Sequence, residues 1–427
     1  MSSMSMTIRP QVRVLGLIGA GHMMSHFYSN TLPPLLPLLN EDLGISYTML
    51  GALLSLRGIM SSGMQMPAGF LVDRDGAKML LSVGLAMCAI GTLMTAMAVD
   101  YWMILLGGII LGIGNSPFHP ADYTILSGSI SESYMGRAFS LHSFSGNLGN
   151  AIAPAVLIGI TSLYNWRVSL LVSGMAGFVI LALLLTQWKY LAEDTAYAAR
   201  QAKKKKKPGA SSATTGQSNW EITRYIITSP AILFLFLYYC MNQLASGGLR
   251  NFSVAGLSET HDTSHAIANA AFTAFLVANA AGVLVGGWLA DKTKRHELVA
   301  VIGLGVSAVT VLFVGLYNIP GYLLVSIFAF AGLTNGLIGP ARDMLIRRAS
   351  PKGSMGKVFG FVFSGQTIGQ AVAPLLFGFM IDTGAPAWIF YTSAIFTVIC
   401  MLVVIVSAKH SREPATPKAE AKPAPAE

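Results

Sequence analysis

The chain has 427 residues, of which 53% are hydrophobic and only 11% are charged, and its mean hydropathy is +0.59. A soluble domain carries roughly 25% charged residues, so this composition excludes an ordinary soluble protein and indicates a membrane protein. The net charge of +9 lies in short loops and one lysine run, without the interleaved aromatic residues of a nucleic-acid surface. We therefore expect no nucleic-acid partner.

Three cysteines lie inside apolar runs, at Cys88, Cys240 and Cys400. An odd number without short spacings argues against a disulfide framework or a zinc site built on cysteine. The sequence holds no HExxH motif and no ATP-binding signature of the form GxxxxGK[ST]. We therefore expect no cofactor and no metal, and a proton gradient rather than ATP hydrolysis as the energy source.

Twelve segments, in chain order, are long and apolar enough to cross a bilayer, which takes about 20 residues. The first six run near Val12–Leu39, Tyr47–Val72, Met79–Ala98, Tyr101–Leu126, Met135–Leu163 and Trp166–Trp188. The next six run near Ser229–Leu257, Ser264–Ala290, Leu298–Tyr317, Gly321–Arg348, Met355–Ile381 and Pro386–Ser407. The first run shows no small-residue cleavage site, so we interpret it as a membrane helix rather than a signal peptide.

Positive charge alternates along the connecting loops. Every second connection is basic, holding Arg74 and Lys78; Arg137; Lys189 to Lys207; Lys292, Lys294 and Arg295; and Arg347, Arg348, Lys352 and Lys357. The connections between them hold Glu41, Asp42, Asp100, Glu259, Asp262 and Asp382, with Arg167 as the one basic exception. The positive-inside rule then predicts that both termini and the middle loop are cytoplasmic, in a multi-pass protein of the cell (inner) membrane.

The chain divides into two helical halves and two polar segments. We predict an N-terminal six-helix half at 1–190, a cytoplasmic linker at 191–223, a C-terminal six-helix half at 224–408 and a disordered cytoplasmic tail at 409–427. The linker contains the run Lys203–Lys207. This run is either a solvated tether or a contact with anionic headgroups, so membrane lipid is an expected partner. We expect the protein to be a monomer.

The two halves repeat one another in sequence, because residues 120–160 align with residues 340–380 without a gap. The shared positions are Pro120/Pro340, Ala121/Ala341, Met135/Met355, Gly136/Gly356, Phe139/Phe359, Gly149/Gly369, Ala151/Ala371, Ala153/Ala373 and Pro154/Pro374. A second echo relates residues 69–78 to residues 287–294. Two parallel halves that rock about a central site are one known solution to alternating access.

The loop after the second helix carries a recognisable motif. It reads Gly69-Phe-Leu-Val-Asp73-Arg74-Asp-Gly76-Ala-Lys78 and resembles the signature loop of the major facilitator superfamily. The resemblance covers essentially the whole ordered chain. It implies an all-α membrane protein of twelve transmembrane helices in two pseudo-symmetric six-helix bundles, and a transporter rather than an enzyme.

The same resemblance implies a role for the charged residues of this loop. In that family the aspartate and the basic residues form a cluster that holds the cytoplasmic side closed, and Asp73, Arg74 and Lys78 match them. The second-half copy keeps Asp291 and Lys292 but lacks the later glycine.

A narrower resemblance covers helices four and five. The stretches Gly112-Ile-Gly114-Asn-Ser116-Pro-Phe118-His119-Pro120, Gly136-Arg137-Ala138 and Gly146-Asn147-Leu-Gly149 are similar to the fosmidomycin resistance protein subgroup. That resemblance implies export of a small anionic compound. The subgroup is broad and its members need not share a substrate.

Polar residues at membrane depth are costly, so they usually face a partner or a water-filled cavity. His22 and His26 share one face of the first helix, and Gln243 and Arg250 share one face of the seventh. With Arg57 on the second helix they are predicted to bind the solute. Two cations with few buried carboxylates nearby favour an anion, since the planar fork of arginine suits carboxylate or phosphonate. The alternatives for the arginines are a pairing with helix carbonyls, an outer gate, or snorkelling to the headgroups.

Helices five and eleven carry further candidates for the solute site. By periodicity His142, Asn147 and Gln366 face the cavity, as does Gln370. The alternative for His142 is a hydrogen-bonded histidine with no solute contact.

A second charged set lies near the cytoplasmic ends of helices four, five, ten and eleven. His119, Asp122, Arg137, Arg342 and Asp343 are predicted to act in gating or coupling. The ungapped repeat aligns Asp122 with Arg342, and pseudo-symmetric positions should meet across the interface. We therefore predict an Asp122–Arg342 ion pair that closes the cytoplasmic side; the alternative is that each pairs within its own half, for example Asp122 with Arg137.

These features together predict a secondary active transporter of a small organic anion, coupled to protons, with efflux slightly favoured over uptake of a carboxylate nutrient. The candidates for the titrating group are His22, His26, His119, Asp122 and Asp343. A non-transporting membrane sensor would carry a folded output domain, and a membrane enzyme would carry clustered catalytic groups. The sequence favours neither.

Overall fold

The computed structural model describes residues 2–131, 134–192, 224–225, 227–293, 295–349 and 355–410, and over these residues it is helical without a strand. Nine helices of this part are each long and apolar enough to cross a membrane. With the first, second and eleventh helices they make up the twelve that the sequence predicts. The predicted linker and tail lie almost wholly outside the described residues, so those domain boundaries stay predictions.

The helices of the first half follow the apolar runs closely. Helix 1 is Ser2–Ser29, helix 2 is Tyr47–Gly63 with Gln65–Asp75, helix 3 is Ala77–Ala96, helix 4 is Tyr101–Asn115 with Phe118–Ser129, helix 5 is Met135–Leu163 and helix 6 is Trp166–Thr186. Asp100 and Asn165 begin helices 4 and 6 as N-caps, because their side chains accept the otherwise free backbone N–H groups of Met103 and Val168.

The second half has six continuous helices. Helix 7 is Pro230–His261, helix 8 is His265–Lys292, helix 9 is His296–Leu316, helix 10 is Gly321–Ala349, helix 11 is Met355–Asp382 and helix 12 is Trp388–His410. Helices 10 and 11 run through Pro340 and Pro374 without ending.

Helix 1 ends earlier than its apolar run. The prediction extended it to Leu39, whereas the helix ends at Ser29, followed by a 3-10 turn at Pro33–Leu35 and a short helix at Leu36–Leu43. The two consecutive prolines lack N–H donors and disfavour helical geometry in the residue before them, so the chain must turn there. The end of helix 1 therefore leaves open carbonyls in the interior of the protein.

Helices 2 and 4 are interrupted halfway, which hydropathy alone does not reveal. Helix 2 breaks at Met64, directly after Gly63, and helix 4 breaks at Ser116 and Pro117. Pro117 cannot donate to the preceding turn, and the Ser116 hydroxyl donates to the carbonyl of Ile113 (2.7 Å). Broken helices at membrane depth are tolerated where they line a cavity.

Glycines bring helices into close contact within each half. A Cβ on Gly107 of helix 4 would lie 2.7 Å from the carbonyl oxygen of Gly91 on helix 3, and one on Gly336 of helix 10 would lie 2.8 Å from the amide nitrogen of Val283 on helix 8. The glycine runs are thus packing surfaces of membrane helices.

The two halves meet on the predicted outer side. Gly51 of helix 2 packs directly on the backbone of Pro374 of helix 11. At the outer end of this contact, the Asp382 carboxylate accepts from the backbone N–H groups of Tyr47 (2.9 Å) and Thr48 (2.7 Å). A carboxylate at a helix N-terminus is favoured by the free N–H groups and by the helix dipole, so this contact joins the two halves.

The same face of helix 2 is uncovered on the predicted cytoplasmic side. Ser62 donates to Gln370 of helix 11 (3.0 Å), and one and two turns further on Met66 and Phe70 are 72% and 65% exposed. The segment Gln65–Asp75 packs chiefly on helices 3 and 4 of its own half. The cleft between the halves is therefore closed on the predicted outer side and open on the predicted cytoplasmic side.

Candidate solute cavity

A cavity of about 350 Å³ lies between the two halves, at the level where helices 2 and 4 are broken. This volume suits a small organic molecule. Its polar lining consists of His26, Ser29, Asn30, Arg57, Ser61, Ser62, Gln65, Asn115, Ser116, His119, Asn150, Gln243, Arg250, Asn251, Gln366 and Gln370.

Arg57 is held in place by the early end of helix 1. Its Nη2 donates to the carbonyl of Ser29 (2.9 Å), one of the carbonyls that the helix end leaves open. Its buried Nη1 has no hydrogen-bond partner within the described residues. One edge of the guanidinium is therefore anchored, while the other nitrogen remains able to donate at the cavity wall.

Arg250 lines the cavity from the opposite half. It lies on helix 7 two turns after Gln243, and Asn251 lines the cavity beside it. None of the described lining residues is an aspartate or a glutamate, and Arg250 has no acidic side chain within 4 Å in the described part of the chain. The two arginines are thus cationic groups of the cavity wall without a neutralising carboxylate in the described lining.

Four asparagines complete the lining and were not among the predicted residues. Asn30 donates to the side-chain oxygen of Asn150, and Asn115 Nδ2 donates to the carbonyl of Ser25 (3.1 Å). The fourth is Asn251. Asn251 could have been found from the sequence, because it is adjacent to Arg250. The other three asparagines reach the cavity because of how helix 1 ends and helix 4 breaks, which hydropathy does not reveal.

Four histidines and one aspartate form a cluster beside the cavity, on helices 1, 4 and 5. The ring of His22 stacks on that of His142 with centroids 3.6 Å apart, and it lies 4.6 Å from His26 and 5.3 Å from His119. Asp122 is wholly buried under them. His22 Nδ1 is 3.0 Å and His142 Nε2 is 3.9 Å from Asp122 Oδ2.

The structure separates the predicted binding residues into two groups. Arg57, Arg250, His26, Gln243 and Gln366 line the cavity. His22, His142 and Asn147 are not among its lining residues, which corrects the predicted placement. The reason is that the first two turn inward onto Asp122, only 3% exposed each, while Asn150, three residues after Asn147, reaches the cavity from helix 5.

The predicted Asp122–Arg342 ion pair is not formed in this conformation. Among the described residues, the basic side chains with a nitrogen within 4 Å of the Asp122 carboxylate are His22 and His142. The Arg342 guanidinium lies 4.7 Å from the ring centroid of Tyr239 on helix 7. The Asp122 carboxylate instead faces the interior of its own half. His119, predicted as a gate residue, instead lines the cavity.

The predicted gate loop is only partly described. Arg74 makes an ion pair with its neighbour Asp75 (2.9 Å), and this hydrogen-bonded cation lowers the pKa of the Asp75 carboxyl below its usual range. Lys78 Nζ donates to the carbonyl of Leu191 (3.0 Å), the first residue of the predicted linker. The side chains of Asp73, Arg137 and Asp343 lie outside the described residues.

Comparison with known families decides the class of the protein. The family model described as Major Facilitator Superfamily matches residues 18–249 and 235–427. The chain belongs to the major facilitator superfamily. It is therefore a multi-pass membrane transporter and not an enzyme, and its twelve helices have the fold of that superfamily.

Relatives and solved structures agree with this assignment. The chain is 24% identical over 370 residues to the fosmidomycin resistance protein of Escherichia coli K12, covering 86% of this chain and 87% of that protein. It is 25% identical over 380 residues to the hexuronate transporter of Bacillus subtilis 168, covering 86% and 88%. It also superposes on a bacterial homologue of the human lysosomal transporter Spinster, in an inward-facing and occupied conformation, with a TM-score of 0.77 and 14% identity. That superposition covers 94% of this chain and 98% of the other.

Proposed function

We propose that this transporter carries a small organic anion across the cell membrane by alternating access, driven by the proton gradient. The observation that carries the proposal is the pair Arg57 and Arg250, which line one cavity from opposite halves without an acidic residue in its described lining. An anion between them would neutralise two cations that otherwise lie at membrane depth.

The chemistry of arginine narrows the class of anion. A guanidinium presents parallel N–H donors that match the two oxygens of a carboxylate or a phosphonate. Arg57 offers a nitrogen that no described residue accepts from, and the surrounding amides of Asn115, Asn150 and Gln366 can bind hydroxyl or carbonyl groups of the solute. A compact polar acid fits this wall better than an apolar drug.

A solute held from both halves also suits alternating access. The halves join at Asp382 on the outer side, and the cleft is open on the other side. A ligand that binds residues of both halves favours the state in which they approach each other. Closing the inner cleft around the anion is then the step that precedes outer opening.

Direction and orientation are further parts of the proposal. The alternating basic loops support cytoplasmic termini and an inner-membrane location, so that the open cleft faces the cytoplasm. The two relatives named above support an anionic solute: one is named for resistance to fosmidomycin, a compound of the phosphonate class, and the other for the transport of hexuronate, a sugar acid. We favour efflux, with uptake of a carboxylate nutrient as the second candidate on the strength of the hexuronate relative.

A thermal-shift screen tests the anion proposal. Purified protein is heated with organic acids and with phosphonates, and we expect at least one acid to raise the melting temperature, since ligand at about 100 times Kd adds ~2.7 kcal/mol. Arg57→Ala and Arg250→Ala should each abolish that rise. Arg295→Ala, which removes an exposed arginine outside the cavity, is the matched control and should keep it. An unchanged shift in both cavity variants would refute the anion site.

Vesicles with an imposed pH gradient test coupling and direction. Protein reconstituted in one orientation, in vesicles that contain no anion, should accumulate the anion only when a proton gradient is present. Accumulation with inward proton flow indicates symport, and net movement against that flow indicates efflux by exchange with protons. Equal net accumulation with and without the gradient would refute proton coupling.

A further inference from the structure

The histidine cluster has more donor atoms than the described structure satisfies. Both carboxylate oxygens of Asp122, Nδ1 of His22 and both ring nitrogens of His142 are buried without a hydrogen-bond partner among the described residues. The close approach of His22 to Asp122 lacks the alignment of a hydrogen bond. Buried polar atoms without partners are costly. Five of them in one cluster therefore indicate a missing ligand.

The donor atoms also converge in space. One ring nitrogen each from His22, His119 and His142 lie within 4.8 Å of one another, and Asp122 Oδ2 lies 3.0 Å and 3.9 Å from the nearest atoms of two of them. Four ligands around a tetrahedral ion with bonds of roughly 2.0–2.1 Å stand about 3.3 Å apart. The three nitrogens would have to close from within 4.8 Å to that spacing, which requires the stacked rings of His22 and His142 to turn.

The ligand types select the class of ion. Three imidazoles and one carboxylate form a set that suits zinc and related divalent transition metals, whereas magnesium and calcium prefer oxygen ligands. The stack of His22 on His142 at 3.6 Å disfavours a charge on both rings, and the neutral imidazole is the form that binds metal. Stacked rings must turn edge-on to share an ion, and turning His142 breaks no hydrogen bond among the described residues.

Two members of the cluster, His26 and His119, line the cavity, and the route from solvent to the other three passes them. His119 is exposed and lines the cavity, while His22, His142 and Asp122 are sealed behind it. We propose that His22, His119, His142 and Asp122 bind one divalent transition-metal ion in the wall of the solute cavity. No motif in the sequence predicts this site, because its ligands come from three helices that converge only in the fold.

Cobalt titration tests this proposal without any transport assay. The full-length protein is purified on a tag that contains no histidine, stripped with a chelator and titrated with Co²⁺. We expect one ion per chain, visible absorption bands typical of low-coordinate cobalt, and loss of these bands when Zn²⁺ is added. His142→Gln and His119→Gln should each weaken binding by more than the roughly 10–100-fold that a supporting residue contributes.

Matched variants separate ligand loss from misfolding. His265→Gln removes a histidine at the outer end of helix 8 and should bind cobalt like the wild type. His119→Gln alters an exposed side chain, so a monodisperse, normally melting protein that loses cobalt supports the site. Absence of stoichiometric binding by the wild type, or binding that His119→Gln and His142→Gln leave unchanged, would overturn the proposal.

Discussion

At the residue scale, Arg57 is held by one hydrogen bond and presents a second nitrogen to the cavity wall, so its planar shape matters beyond its charge. Arg57→Lys keeps the charge and loses the fork. We expect it to fold normally and to bind the anion about tenfold more weakly, a loss of ~1.4 kcal/mol. Isothermal titration with the anion found in the screen measures this. Wild-type affinity in the lysine variant would show that charge alone suffices.

The cost of a charge inside an apolar run is the sequence signal that singles out Arg57 and Arg250. The structure places both in the cavity wall, and their role as solute ligands stays a prediction. Asp122 is singled out for the same reason, and the pair with Arg342 predicted for the closed cytoplasmic side is not formed in this conformation, so that gate stays a prediction. Pseudo-symmetry relates Asp122 to Arg342, whereas the direction of a side chain depends on local helix rotation, and here that rotation turns the carboxylate toward His22.

At the element scale, the contact of helices 3 and 4 depends on glycine. Gly107→Ala would place a Cβ 2.7 Å from the carbonyl oxygen of Gly91, so the backbone must shift. Overpacking of this kind costs about 1–3 kcal/mol, more than the ~1 kcal/mol by which alanine improves helix propensity. We expect a lower melting temperature. Gly287→Ala, where a Cβ meets nothing within 4 Å, is the control and should melt at or above the wild-type temperature.

The helices themselves followed from hydropathy, and their interruptions did not. Nine of the twelve predicted runs correspond to single helices, whereas the first, second and fourth runs each contain more than one helical segment. Breaks at Met64 and at Ser116–Pro117 need local backbone chemistry rather than hydropathy, and the double proline after helix 1 acts in the same way. The early end of helix 1 leaves open the Ser29 carbonyl that holds Arg57. The breaks in helices 2 and 4 lie at the level of the cavity.

At the scale of the whole molecule, the Asp382 carboxylate of helix 11 accepts from the N-terminus of helix 2, and we expect the closure on the predicted outer side to depend on this contact. Asp382→Asn removes a charge that favours the closed outer side. With spin labels on cysteines introduced at the exposed outer residues Tyr164 and Tyr317, one in each half, we expect longer distances in this variant. Asp100→Asn, which changes a cap within one half, should leave the distances unchanged. Equal distances in all three proteins would mean that Asp382 does not hold the halves together.

The two-half architecture was the part of the molecule most accessible from sequence, because the repeat at 120–160 and 340–380 and the alternation of loop charge both report on it directly. The cavity required the structure, since its wall combines side chains from both halves and from broken helices.

Anion exchange in proteoliposomes tests the central claim most directly. Vesicles of the purified wild type are loaded with the acid found in the screen, and entry of the radiolabelled acid is followed without any gradient. We expect rapid exchange of the acid, none of its uncharged amide, and at least about tenfold slower exchange with Arg57→Ala or Arg250→Ala, while Arg295→Ala exchanges normally. Exchange of the neutral amide as fast as the acid, or full exchange by both cavity variants, would contradict an anion transporter that binds its solute through these two arginines.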